Sequence, residues 1–111
     1  MNYNDKTFRP LSNTLNGETS HETLFHYQQR GNLLYCTYSG GQIVKGHLIG
    51  KVDPDGNIDM RYHQINTKGE LMTGTCLSSP EILPNGTIRL HEKWQWTSGD
   101  RSQGESVLEE V

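Results

Sequence analysis

Glu92 is the residue of this sequence whose surroundings most favour chemistry. It stands in Leu90-His91-Glu92-Lys93-Trp94-Gln95-Trp96, where strand alternation puts Leu90, Glu92, Trp94 and Trp96 on one face. A carboxylate on an apolar face costs roughly several kcal/mol unless it is paired, protonated or wet. Three uses are open to it. It hydrogen-bonds a ligand, it works as an acid or base with a raised pKa, or it is held by Arg9, Tyr62 or Ser78 within a core network. The same face is expected to carry Tyr27, Tyr35, Tyr62, Gln64 and Trp94, which with Glu92 form the candidate ligand-binding lining.

Other chemistry-bearing residues form no constellation. His47 and His63 are expected to face each other on the outer side, but zinc needs three or four ligands and no third is placed by spacing. Cys36 near His26 or His47 lacks a third, orienting residue for a thiol nucleophile. No glycine run opens a helix to cradle phosphate. No catalytic residue, metal site or cofactor is therefore assigned.

These side chains are positioned by hairpins. Glycine turns recur at Gln28-Gln29-Arg30-Gly31, Ser39-Gly40-Gly41, Asp53-Pro54-Asp55-Gly56, Asn66-Thr67-Lys68-Gly69, Leu83-Pro84-Asn85-Gly86 and Ser98-Gly99-Asp100. Between them run short alternating segments without helical periodicity. Strands are predicted near residues 6–13, 22–29, 32–39, 42–52, 57–66, 70–82, 87–97 and 102–110. The longest loop, 13–21, is the least regular segment. Short connections imply an antiparallel up-and-down meander of about eight strands, closing into one small all-β barrel over residues 1–111.

A type I turn followed by a left-handed glycine sets the register across its hairpin. Three such turns pair Val52 with Ile58, Leu48 with Tyr62, Tyr62 with Gly74, Cys76 with Trp94, and Ser78 with Glu92. All of these fall on one inner face. Lys51 opposite Asp59 and Glu81 opposite Arg89 fall outside, as suits a solvated surface. The Gly40-Gly41 turn has two readings. A two-residue turn turns Leu33, Tyr35 and Thr37 inward beside Val44, whereas a bulge turns Leu34, Cys36 and Tyr38 inward. The final strand presents either Gly104, Ser106 and Leu108 or Glu105 and Val107. Glycines 46, 50 and 74 inside strands leave room for a large neighbour or for a ligand.

Composition narrows the function classes. The chain has 111 residues and a net charge of -3, so there is no basic field for nucleic acid or an anionic membrane. No apolar run approaches the roughly 20 residues of a spanning helix. Two cysteines without an apolar leader suggest free thiols in the cytoplasm. On the first reading of the Gly40-Gly41 turn, Leu34, Tyr38, Ile43, Ile49, Ile65, Leu71 and Leu77 fall outside, a possible self-association surface.

The runs Asn57-Ile58-Asp59-Met60-Arg61-Tyr62-His63-Gln64, Gly69-Glu70-Leu71-Met72-Thr73-Gly74 and Leu90 through Asp100 carry a resemblance. They resemble a family of small bacterial proteins of about this length, many bearing the name N-acetylglutamate synthase. The resemblance covers nearly the whole chain and implies a barrel similar in architecture to the calycins, the lipocalin and fatty-acid-binding group. The synthase name would require an acetyl-CoA turn leading into a helix. The nearest match, Gln28-Gln29-Arg30-Gly31-Asn32-Leu33, departs at its last position and is followed by a predicted strand. The expected function is a non-enzymatic barrel binding a small apolar or amphipathic ligand. The alternatives are a self-associating interaction module and an enzyme using Glu92.

Overall fold

The computed structural model describes all residues from Met1 to Val111. Nine strands follow in chain order: β1 (Thr7–Asn13), β2 (Leu24–His26), β3 (Gln28–Arg30), β4 (Leu33–Gly40), β5 (Ile43–Val52), β6 (Ile58–Asn66), β7 (Leu71–Ile82), β8 (Ile88–Trp96) and β9 (Gln103–Glu110). Each pairs antiparallel with its neighbours, and β2 joins both β1 and β4, which closes the sheet on itself. β2 and β3 are one barrel position interrupted at Tyr27. The backbone N–H of Tyr27 donates to Lys6 O and its carbonyl accepts from Asp5 N, both at 2.9 Å, so this residue leaves the ladder to hold the N-terminal segment. The result is an eight-position, all-β barrel in meander order.

The three glycine turns place β5 to β8 in the expected register. Val52 faces Ile58, Leu48 faces Tyr62, Tyr62 faces Gly74, Cys76 faces Trp94 and Ser78 faces Glu92. Gly56, Gly69 and Gly86 have φ of 86°, 78° and 87°, the left-handed geometry that this bulged turn requires. Lys51 and Asp59 are ladder partners outside, as are Glu81 and Arg89. Three of these charges pair elsewhere: Asp59 with Arg61, Arg89 with Glu109, and Glu81 with His91.

The Gly40 turn is bulged, with the ladder slipping between Tyr38 and Gly40. Leu34, Cys36 and Tyr38 therefore enter the core, while Leu33 and Thr37 are exposed and Tyr35 is half-buried on the outer side. A second slip between Ile43 and Lys45 buries Ile43 and leaves Val44 58% exposed, the reverse of the expectation. Of the seven apolar residues expected outside, Leu34, Tyr38 and Ile43 are thus core residues. Ile82 pairs with buried Ile88 but itself lies 63% exposed at the barrel rim. On the last strand, Ser106 and Leu108 face inward and are buried.

Strand glycines admit cross-strand aromatic rings. Gly46 lies under Tyr38, Gly74 under Tyr62 and Gly104 under Trp94, each pair being ladder partners. A Cβ at any of these glycines would overlap the ring. The core is accordingly aromatic at both ends. At one end Tyr3, fully buried, packs edge-on against Phe8 and Tyr27 and bonds Gly56 O, sealing the barrel with the N-terminal segment. The opposite end is crossed by residues 14–23.

Candidate functional site

The segment 14–23 spans the barrel end as a strap, tied down by polar bonds to core side chains. Trp94 donates its indole N–H to Asn13 Oδ1 at 3.2 Å, and Trp96 donates its own to Asn16 O at 3.0 Å. Asn13 in turn donates to Thr19 O and Oγ1, and Thr23 Oγ1 donates to Gly40 O. Buried tryptophans need an acceptor for the indole N–H, and here the last residue of β1 and the strap each supply one.

Glu18 carries the strap's deepest contact. Gln64 Nε2 donates to Glu18 Oε1 at 2.9 Å and Asn66 Nδ2 donates to Glu18 Oε2 at 2.7 Å. Gln64 also accepts from Tyr38 Oη at 2.7 Å, and Asn66 donates to Glu70 at 3.0 Å. The Glu18 carboxylate is therefore held by neutral amides, with no cation at ion-pair distance.

Beneath the strap lies a cavity of about 50 Å³. Tyr27, Tyr62, Gln64, Glu92 and Trp94 line it, together with Phe25, Tyr38, Trp96 and Ser106. Five of the six residues expected in the lining are brought together. Tyr35 is not: the bulge at Gly40 turns it outward between Gln28 and Ile49. Spacing alone did not point to Asn13, Gly17, Glu18 and Thr19, which line the cavity from an aperiodic loop.

Glu92 accepts one hydrogen bond, from Ser106 Oγ at 3.0 Å. Arg9, a possible partner by sequence, is exposed on the far side of β1. Burial pushes the Glu92 carboxyl up to about 7, against the pull of Ser106, Cys76 and Ser78 beside it. Two buried groups have no hydrogen-bond partner, Tyr27 Oη and Ser78 Oγ, although Ser78 faces Glu92 across the ladder. Burial raises the Tyr27 phenol, and it pushes the Cys36 thiol up to about 12 and the Cys76 thiol higher than usual. Both cysteines are free and buried. Neither thiol is activated as a nucleophile, because a thiol held protonated attacks poorly. Glu92 is the one interior group able to gain or lose a proton near neutrality.

The remaining polar clusters lie outside. His47 and His63 face each other with ring centroids 5.3 Å apart, and no group of three His, Cys, Asp or Glu side chains is placed to hold a metal ion. The hairpin from Gln28 to Leu33 joins β3 to β4 and runs into a strand. It does not form the turn into a helix that an acetyl-CoA site of the synthase type needs.

Comparison with known proteins agrees with this architecture. The family model described as "Avidin-like protein" matches residues 1–111, the whole chain. No curated protein matches. The chain belongs to the avidin-like family.

Proposed function

From membership in the avidin-like family and the cavity under the strap, we propose that this chain is a non-enzymatic binder of a small ligand. The ligand sits in the barrel mouth against Tyr27, Tyr62, Gln64, Glu92 and Trp94. One observation carries the reading: Tyr27 Oη is buried without a partner in the same lining as the buried Glu92 carboxyl. Native interiors rarely leave such groups unpaired, and a ligand is one standard partner for them. The body of the cavity is aromatic, which suits the apolar part of an amphipathic molecule.

The cavity beneath the strap, about 50 Å³, is well below the roughly 300 Å³ of a site enclosing a drug-sized ligand. Biotin, with two fused rings and an acid tail, therefore enters only if the strap lifts. Native mass spectrometry of the purified chain, followed by calorimetric titration with biotin, tests the reading. A retained small molecule, or saturable binding that Trp94→Phe weakens, is expected. Neither binding nor any copurified molecule would sink it.

A second reading rests on the outer wall. Ile65 pairs with exposed Leu71, Ile49 lies beside Tyr35, and Leu77, further along β7, is 61% exposed. Apolar residues exposed on one wall are the kind of surface that self-association covers. A strict monomer at high concentration in sedimentation velocity would remove this reading. Two unpaired thiols also support a reducing, cytoplasmic setting.

A further inference from the structure

The cavity lining contains six aromatic side chains, two carboxyl groups and no lysine, arginine or histidine. The aromatics are Phe25, Tyr27, Tyr38, Tyr62, Trp94 and Trp96. The carboxyls stand at different depths. Glu18 sits at the strap, bonded only by the Gln64 and Asn66 amides, and Glu92 lies on β8 with one serine bond. An anion entering here would meet two acidic groups with no positive partner, in a space where little water screens them. A cation would meet ring faces and carboxylates together. Aromatic rings attract cations most strongly when these are desolvated, and rings set at steep angles offer faces from several directions. Trp96 makes such angles with both neighbours, 69° to Tyr62 and 62° to Trp94.

We propose that the ligand is a compact organic cation, an ammonium head on a short apolar body, caged by the aromatics between Glu92 and Glu18. This inference rests on the reading of the cavity as the ligand site. The size of the cavity, about 50 Å³, sets the head group at a few heavy atoms, since about 10–15 Å³ of such space holds one water. Tyr27 Oη, buried without a partner in the same lining, is an acceptor open to the remaining N–H donors of such an ammonium. The strap over the mouth favours a free small molecule over the side chain of a partner protein, which would have to pass between Trp94–Asn13 and Trp96–Asn16 bonds.

The test titrates the full chain with n-propylammonium, propan-1-ol and propanoate at matched ionic strength, following the indole N–H signals of Trp94 and Trp96 by NMR. Propylammonium is expected to bind at least tenfold more tightly than either isostere. Glu92→Gln, which keeps the size of the side chain and the serine bond, is expected to abolish that preference. Glu18→Gln, on the half-buried strap, is expected to weaken it several-fold; because it sets an NH2 against one of the Gln64 and Asn66 donors, the amide spectrum of the free variant checks that the barrel is retained. Equal binding of propanol, preference for propanoate, or an undiminished preference in Glu92→Gln would each overturn the cation assignment while leaving a ligand cavity in place. If none of the three probes nor biotin moves either tryptophan and no molecule copurifies, both the assignment and the proposed function fail.

Discussion

The phenol of Tyr62 lies directly over Gly74, its ladder partner on the next strand, and occupies the space that a Cβ at 74 would need. The absence of a side chain on β7 thus determines where an aromatic wall of the cavity stands. Tyr62 in turn meets Trp96 edge-on at 5.8 Å, and Trp96 holds the strap through Asn16. Strand glycine, ring position and strap are mechanically connected.

Gly74→Ala is expected to destabilise the fold by about 1–3 kcal/mol, the range for overpacking a filled interior. The ring has little room to retreat, since Gln95 O also lies close to the position of the new methyl. Urea denaturation would show a lower midpoint with an unchanged slope. Gly69→Ala provides a contrast, because nothing lies near its Cβ position and its positive φ is the only penalty. If the two variants unfold alike, ring overlap is not what constrains position 74.

Glu92 is expected to make stability depend on pH. Its folded pKa, about 7, lies above the ordinary carboxyl value of 4.5. Between these values the unfolded chain has released the proton that the folded chain retains, so stability falls as pH rises and levels off above about 7. The neighbouring phenols of Tyr27, Tyr38 and Tyr62 and thiols of Cys36 and Cys76 are all raised and stay neutral across this window. Glu92→Gln should remove the slope and gain about 3 kcal/mol over the parent chain at pH 8, with little difference at pH 4.5. Urea midpoints of both proteins at the two pH values measure it, and parallel curves would count against a buried, protonated carboxyl.

The strap should open without the barrel unfolding. Asn13→Ala removes the acceptor of the Trp94 indole and both bonds to Thr19, losses of about 1 kcal/mol each. Hydrogen exchange is expected to quicken across residues 14–22 while β5 to β8 keep their protection. Uniform acceleration throughout the barrel would mean that the strap is an integral part of the core.

Most of the barrel was legible in the sequence because its hairpins are local. A proline or asparagine turn closed by a left-handed glycine fixes pairing within a dozen residues, and β5 to β8 follow from three of them. Gly40-Gly41 was ambiguous because two adjacent glycines permit both a tight turn and a bulge. Packing of Tyr38 over Gly46 across the hairpin decides between them, and that contact carries Tyr35 out of the site. The slip at Ile43 has the same character, visible only as a break in the β5–β6 ladder. The strap left no periodic trace. Glu18 reaches Gln64 and Asn66 across 46 and 48 residues of chain, and such contacts exist only once the barrel has closed.

Tyr27→Phe separates stability from binding most directly. The Tyr27 hydroxyl is fully buried and unpartnered, so its removal relieves a desolvated polar group at almost no change in volume. The variant should be more stable than the parent by about 1 kcal/mol. A hydroxyl kept at that cost is explained if a ligand supplies its partner, and then the same substitution weakens binding while strengthening the empty fold. Thermal unfolding with and without propylammonium reads both effects in one experiment. A higher melting temperature with a smaller ligand-induced increase is expected. A lower melting temperature in the absence of ligand would show that Tyr27 Oη already has a partner within the folded chain, and would take away the observation on which the ligand site chiefly rests.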